Sequence, residues 1–177
     1  MRFREYLTVL LFASFCTYSA AAYRGMSRKT AEMKHVVAAI RDQVNEADVS
    51  LINDTIRVLF PKHLIFDFNQ AQLRTDFLPI MARFGSVLQQ YPGTGILIIG
   101  HTDNQGCEPY NLNLSRRRAD TAGSVLVRYG VDSRRLDTWG LGSDLPVATN
   151  KTEAGRSLNR RVEFVVLYNY SADGGRK

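Results

Sequence analysis

Four consecutive apolar residues, Ile96 to Ile99, run into Gly100, then into His101, Thr102 and Asp103, and then into a turn that ends at Gly106. A strand that is apolar on both faces has to be covered on both, so this segment is expected to be a short buried strand. A carboxylate and two hydrogen-bonding neighbours stand at its mouth. The residue types admit three readings: a metal site, a catalytic acid, or a binding site for a cationic group.

The surrounding pattern sets the fold class. Residues 53–60 alternate, with Ile56, Val58 and Phe60 on one face, and Pro61 breaks the run. Residues 62–68 alternate again, with Leu64, Phe66 and Phe68 opposite Ile65, Asp67 and Asn69, which predicts a second strand of a hairpin-like start. A helix follows with Phe77, Ile80, Phe84 and Val87 or Leu88 on one stripe; Pro79 fits only its first turn, so Thr75 or Asp76 is the expected cap. Pro92 and Gly93 turn the chain. After the Gly100–Gly106 loop a second helix is expected from an N-cap at Ser115 to Gly130, with Ala119, Ala122, Leu126 and Tyr129 inward. A short extended segment with a glycine turn follows at 134–143. Residues 160–168 form the last strand, with Val162, Phe164, Val166 and Tyr168 toward the core, and 169–177 look frayed. The order β, β, α, β, α, short β, β, with its hairpin-like start, predicts an α+β class: a two-layer domain with a mixed sheet.

The chain has 177 residues and 45% hydrophobic content, enough for one domain with a real core. Two arginines, an apolar run from Leu7 to Ala22 and small residues at its end have the order of a secretory signal, so residues 1–22 are expected to be a signal peptide or membrane anchor. The run is short for a membrane span, which needs about 20 residues. Phe15 before Cys16 argues against lipidation. Residues 23–49 are expected to be a helical linker, with Met33, Val36 or Val37, Ile40 and Val44 at helical spacing, either spacing the domain from a membrane or docking on it. Removal of residues 1–22 takes Arg2, Arg4 and Glu5, so the net charge of +6 becomes +6 − 1 = +5, and Cys107 remains alone, with no intrachain disulfide.

His101 and Asp103 supply two metal ligands, while His35 and His63 lie in separate elements. A zinc site needs three protein ligands or four, so neither metal nor cofactor is expected. There is no G-x-S-x-G, H-E-x-x-H or phosphate-binding glycine loop. Asp67 and Asp103 could form a carboxylate pair only if the fold spaced them for it, so no enzyme is expected. The binding reading uses what is present. Asp103 follows the C-terminal end of a strand, where ligands commonly sit in open sheets. Arg116, Arg117 and Arg118 open the expected next helix, whose N-terminus favours an anion. A carboxylate beside a guanidinium fork suits a zwitterion, with an ammonium on Asp103 and a carboxylate on an arginine. The same residues suit a plain structural salt bridge equally well.

The stretches "LIFDFNQAQL" (64–73), "GHTDNQG" (100–106), "YNLNLSRRRA" (110–119) and "GLGSDLPVATNKTEAGRSLNRRVEF" (140–164) resemble, in order and spacing, the C-terminal domain shared by OmpA, Pal and MotB. The resemblance runs from about Ser50 to Tyr168. It implies a two-layer βαβαβ-type sandwich with a mixed sheet, and non-covalent, non-catalytic binding of peptidoglycan through the diaminopimelate of the stem peptide. By motif position Asp103 would take the ammonium and Arg118 the α-carboxylate. Thr102, Asn111 and Leu114 would line the groove, Asn69 would be a wall, and Arg160 and Arg161 would support the site, with Arg161 on the Glu163 face. The expected domain limits are 50–168, with 169–177 a flexible tail.

The implied role is to tether the protein or its complex to the cell wall in the periplasm of a Gram-negative bacterium, in association with the outer membrane or the wall. An acidic glycan-peptide polymer fits the basic charge. The alternative is a protein-interaction or signalling subunit of an envelope complex, of secretion or motor type, with wall binding secondary. Acids accompany the arginines in most segments, which argues against a nucleic-acid face.

Overall fold

The computed structural model describes residues 20–60, 65, 66 and 70–168, with side chains from residue 29 onward. The elements are α1 (Ala20–Gln43), β1 (Asp48–Ile52), β2 (Thr55–Leu59), a 3-10 turn (Thr75–Phe77) leading into α2 (Leu78–Gln90), β3 (Thr94–Gly100), α3 (Glu108–Arg128), a second 3-10 turn (Ser133–Arg135), β4 (Leu136–Gly140), α4 (Glu153–Asn159) and β5 (Val162–Tyr168). The strand order is β1-β2-β5-β3-β4. Only β3 and β4 are parallel; the other neighbours are antiparallel. The expected two-layer α+β sandwich on a mixed sheet is present.

One face of the sheet carries the core. Along β5, Val162, Phe164 and Val166 are buried, and they pair across the sheet with Ile56, Val58, Ile96 and Ile98. Phe60, Phe77, Phe84 and Phe164 meet edge to face with centroids 5.0–5.8 Å apart, the arrangement that the ring quadrupole favours. Ala119, Ala122 and Leu126 of α3 are fully buried, and Tyr129 packs half-buried beside them, as the sequence stripe predicts.

Several local expectations are corrected. The hairpin joins β1 to β2, not residues 53–60 to 62–68. Its turn is Asn53–Asp54, both at positive φ (48° and 59°), the geometry a two-residue hairpin turn demands and asparagine and aspartate tolerate. In the expected second strand, Phe66 makes only an isolated bridge to Leu73; residues 61–64 and 67–69 lie outside the described residues. The Thr75 or Asp76 cap is replaced by the 3-10 turn, with no side-chain cap on either helix start, while Pro79 does sit in the first turn of α2. Helix α3 starts at Glu108, with Pro109 in its first turn, so Ser115 is mid-helix rather than an N-cap. β3 is buried on one face only: Ile96 and Ile98 are fully buried, but Leu97 and Ile99 are half-buried on the other.

Helix α1 is part of the domain rather than a free spacer. Met33, Val36, Val37, Ile40 and Val44 all enter the core. Its direction is fixed at both ends. Thr30 donates to Asp54 Oδ1 at 2.8 Å and Lys29 lies over the Tyr168 ring, at the β1–β2 turn; Arg41 Nη2 donates to Val49 O at 2.6 Å, at the other end of β1. The early part of α1 therefore lies at the end of the sheet opposite to the C-terminal end of β3. Among the described residues no helix is long and apolar enough to cross a membrane.

Candidate functional site

The site is built where β3 ends. Two glycines let α3 lie directly on the sheet there: a Cβ on Gly100 would run into the Ser115 backbone, and one on Gly140 into the Arg116 backbone. That seating turns Asn111, Leu114, Ser115 and Arg118 toward the sheet, where all four are buried. Ser115 Oγ donates to Leu112 O at 2.9 Å and accepts from Gly142 N at 2.9 Å, so the expected cap instead ties the helix to the loop after β4. Beyond Gly100 the ladder continues: His101 N donates to Arg161 O at 2.9 Å and Thr102 N to Gly142 O at 2.8 Å.

Asp103 is thereby held with 7% of its surface exposed. Its Oδ1 accepts from Gln105 N at 3.0 Å, closing an Asx turn, and its Oδ2 accepts from Arg160 Nη1. Asn111 Nδ2 donates to Gln105 O at 2.9 Å and pins that turn to α3. The structural ion pair anticipated for Asp103 is thus real, but its arginine is Arg160, 57 residues away, not Arg118. Arg160 also bonds Glu153 on α4. Sequence reasoning gave Arg160 only a supporting place; the "NRR" run was the one signal for it.

Arg118 stands nearby with 6% exposure. Its Nε donates to Gln70 O at 2.9 Å, and its guanidinium lies 5.2 Å from the Phe66 ring centroid, a cation–π platform. Among the described residues only Nε is hydrogen-bonded, which leaves both Nη groups for a guest. Burial lowers its pKa, Tyr110 opposes this, Arg160 adds to it and Asp103 opposes it; a guanidinium so perturbed stays cationic at neutral pH. Arg118 lies in the third turn of α3, so the expected alliance with a helix N-terminus is absent. Phe66 and Gln70 were not foreseen, because cation–π and carbonyl contacts over 48 residues leave no local pattern.

A small pocket opens between Ile65, Phe66, Arg118, Arg160, Arg161 and Val162. Thr102 Oγ1 and Arg160 Nε are buried close by without a hydrogen-bond partner. Leu114 is buried on the same helix face. The structure therefore gathers Asp103, Thr102, Asn111, Leu114, Arg118 and Arg160 in one neighbourhood. Asn69 lies outside the described residues. Arg161 reaches the pocket wall, but its guanidinium bonds Glu163 at 2.7 Å, Asn159 O and Leu145 O, a bracing role. Glu163 also takes a two-pronged bond from Arg57 (2.6 and 2.9 Å). Burial pushes Glu163 up, but bonds and charge from Arg57 and Arg161 outweigh it and hold the carboxyl below its usual range. His101, 2% exposed and 3.6 Å from Glu163, is driven to about 4 by burial and by Arg161, with Glu163 opposing and Arg57 assisting. It is neutral at pH 7. Among the described residues no cluster of three or more metal-binding side chains occurs.

A domain of this architecture, with its charged cleft at the strand end, matches the OmpA family model over residues 65–160. The match takes in more than half of the chain, and the chain belongs to the OmpA family. Among curated relatives, "Probable lipoprotein YiaD" of Escherichia coli is 37% identical over 131 residues, 73% of this chain and 60% of that protein. The peptidoglycan-associated lipoprotein of Legionella pneumophila is 34% identical over 101 residues, 57% of each chain. Among solved structures, the cell wall anchor of the T6SS from Pseudomonas aeruginosa superposes with a TM-score of 0.66 at 28% identity, covering 77% of this chain and 96% of that one. The chain spans 60% or less of the length of the curated relatives it first matches.

Proposed function

We propose that this domain binds peptidoglycan non-covalently, without catalysis, and tethers its protein to the cell wall in the periplasm of a Gram-negative bacterium. The ligand group is the zwitterionic end of diaminopimelate in the stem peptide. What supports this reading is that Asp103 and Arg118 are both buried, lie close enough to feel each other's charge and both neighbour Arg160, while among the described residues the two Nη groups of Arg118 make no hydrogen bond. The carboxylate of the guest lies across those two nitrogens, and its ammonium donates to Asp103. Arg160 does not block this. An ionised carboxylate accepts roughly four hydrogen bonds, and Gln105 N and Arg160 Nη1 occupy one on each oxygen. Thr102 Oγ1 and Arg160 Nε, buried and unpartnered, add a hydroxyl and a donor. Relatives named as a peptidoglycan-associated lipoprotein and as a cell wall anchor support peptidoglycan as the polymer and the cell wall as the place.

Two charge-assisted contacts and a few neutral ones predict a single-site Kd on the order of micromolar or weaker. The topology suits a tether: residues 1–22, read as signal or anchor, lead into the end of α1 opposite to the cleft. The competing reading, an interaction or signalling subunit of an envelope complex, gains no support from the apolar stripe of α1, which is used in the domain's own core.

The test is sedimentation with insoluble peptidoglycan. Asp103→Ala and Arg118→Ala are expected to stay in the supernatant while wild type pellets, with circular dichroism unchanged. Pelleting of both variants like wild type would defeat the site assignment, and loss of intact peptidoglycan during the incubation would reveal a hydrolase instead.

A further inference from the structure

The residues that hold Asp103 do not end at Arg160. Arg160 gives Asp103 only one of its nitrogens. Its Nη1 donates to Asp103 Oδ2, its Nη2 donates to Glu153 Oε1 on α4, and its Nε is buried with no partner among the described residues. Glu153 is held in turn from its other side, where Arg156 Nε and Nη2 meet Oε2 at 3.1 and 3.0 Å. Arg156, Glu153, Arg160 and Asp103 therefore form a row of alternating charge that leads into the cleft, with side-chain exposure falling from 66% at Glu153 to 9% at Asp103.

The backbone around this row is fixed without Glu153. Asn159, fully buried, accepts from Val147 N and Ala148 N at 2.9 Å and donates to Ala148 O and Asn150 Oδ1, again at 2.9 Å. Thr152 Oγ1 accepts from Gly155 N at 3.1 Å and caps α4, and a Cβ on Gly155 would run into Thr149 O. Ion pairs as exposed as those of Glu153 contribute little to stability. What Glu153 decides is how Arg160 meets Asp103. A guanidinium matches a carboxylate best edge to edge, two nitrogens on two oxygens. With Nη2 drawn off to Glu153, Arg160 meets Asp103 through Nη1 alone. Each Asp103 oxygen then keeps one acceptor position, the other on Oδ1 being taken by Gln105 N. Released from Glu153, the fork of Arg160 closes on both oxygens and occupies the position that a guest ammonium needs.

We infer that Glu153 is a positioning residue for ligand binding: it draws Arg160 aside and so keeps Asp103 open to a guest's ammonium, without touching the guest. This rests on the reading of Asp103 as the ammonium acceptor. It assigns a binding role to a largely exposed side chain on α4, a helix that contributes no residue to the pocket wall.

Calorimetric titration of the full 177-residue chain with a soluble stem peptide carrying diaminopimelate tests this, in non-ionic detergent and at about 0.15 M salt to screen exposed charge. Glu153→Ala is expected to raise the dissociation constant about tenfold, the worth of one charge-assisted contact, with an unchanged melting temperature. Glu153→Gln, whose side-chain oxygen still accepts from Arg160 Nη2, is expected to stay within about threefold of wild type. In an Arg160→Met background there is no fork to hold aside, and adding Glu153→Ala is expected to change the affinity by less than about twofold. A merely structural role would cost as much in either background. Glu153→Ala binding like wild type, or losing as much in the Arg160→Met background, overturns the proposal. Should Arg160→Met bind too weakly to titrate, Glu153→Gln decides, and a loss there as large as in Glu153→Ala overturns it. Asp103→Ala, run alongside, separates the two claims. If it binds like wild type, the ammonium reading itself fails; if it does not bind and Glu153→Ala is unimpaired, the positioning role alone fails.

Discussion

His101 makes stability depend on acid in a direction that can be worked out. The ring is 2% exposed, neither nitrogen has a hydrogen-bond partner, and burial followed by Arg161 brings its pKa from 6.5 to about 4. A histidine with a depressed folded pKa takes up its proton more readily when unfolded. Its cost is absent above pH 6.5, grows as pH falls from 6.5 toward about 4, and is constant below that. The difference of about 2.5 units corresponds to about 3 kcal/mol. Glu163 and the other carboxyls add their own acid dependence, so the informative quantity is a difference between two proteins. Urea unfolding of wild type and His101→Leu across this range isolates it, because the carboxylates are common to both and the orphaned nitrogens make the leucine tolerable. The stability gap is expected to shift toward the variant by about 3 kcal/mol on acidification. Parallel pH profiles would refute the placement of a neutral, unpartnered imidazole beside Glu163.

Gly100→Ala is expected to destabilise the domain by at least about 1–3 kcal/mol, since the new Cβ meets the Ser115 backbone rather than a side chain that can move; an unchanged melting temperature would mean that α3 is not seated there. Val36→Asp places a carboxylate at a fully buried α1 position and is expected to unfold the domain or sensitise it to protease, whereas a stable variant would return α1 to the role of a loose linker. Arg118→Lys keeps the charge but loses the planar fork and the Nε bond to Gln70, and peptidoglycan binding is expected to fall about tenfold while the fold persists; binding equal to wild type would argue against a two-pronged carboxylate contact.

Much of the scaffold was readable because its signals are local and periodic. The alternation of Val162, Phe164 and Val166 marked β5, and the spacing of Ala119, Ala122 and Leu126 marked the buried side of α3. The start of α3 was misplaced because Ser115 looks like a cap, while Pro109, which does stand in the first turn, looks like a loop residue. The β1–β2 turn was missed because Asn53–Asp54 adopts positive φ without a glycine to announce it. In the site, Asp103 and Arg118 were singled out by residue type and motif position. The bond from Arg160 to Asp103 and the seat of Arg118 on Phe66 and Gln70 were not legible, since each joins segments about fifty residues apart and depends on how the layers pack. The second face of β3 was misjudged because Leu97 and Ile99 are as apolar as Ile96 and Ile98, yet only the latter pair is fully buried and the former is half-buried.

The central claim is that one cleft grips both charged groups of an amino-acid end. Calorimetric titration with two soluble stem peptides, identical except that one carries diaminopimelate and the other lysine, bears on it most directly. Lysine offers the ammonium without the second carboxylate, so Arg118 would be left without its partner. The account predicts saturable binding of the diaminopimelate peptide and binding of the lysine peptide weaker by about tenfold or more, the worth of one charge-assisted contact. Equal affinity for the two peptides, or heat from neither while intact wall still pellets the protein, would contradict it.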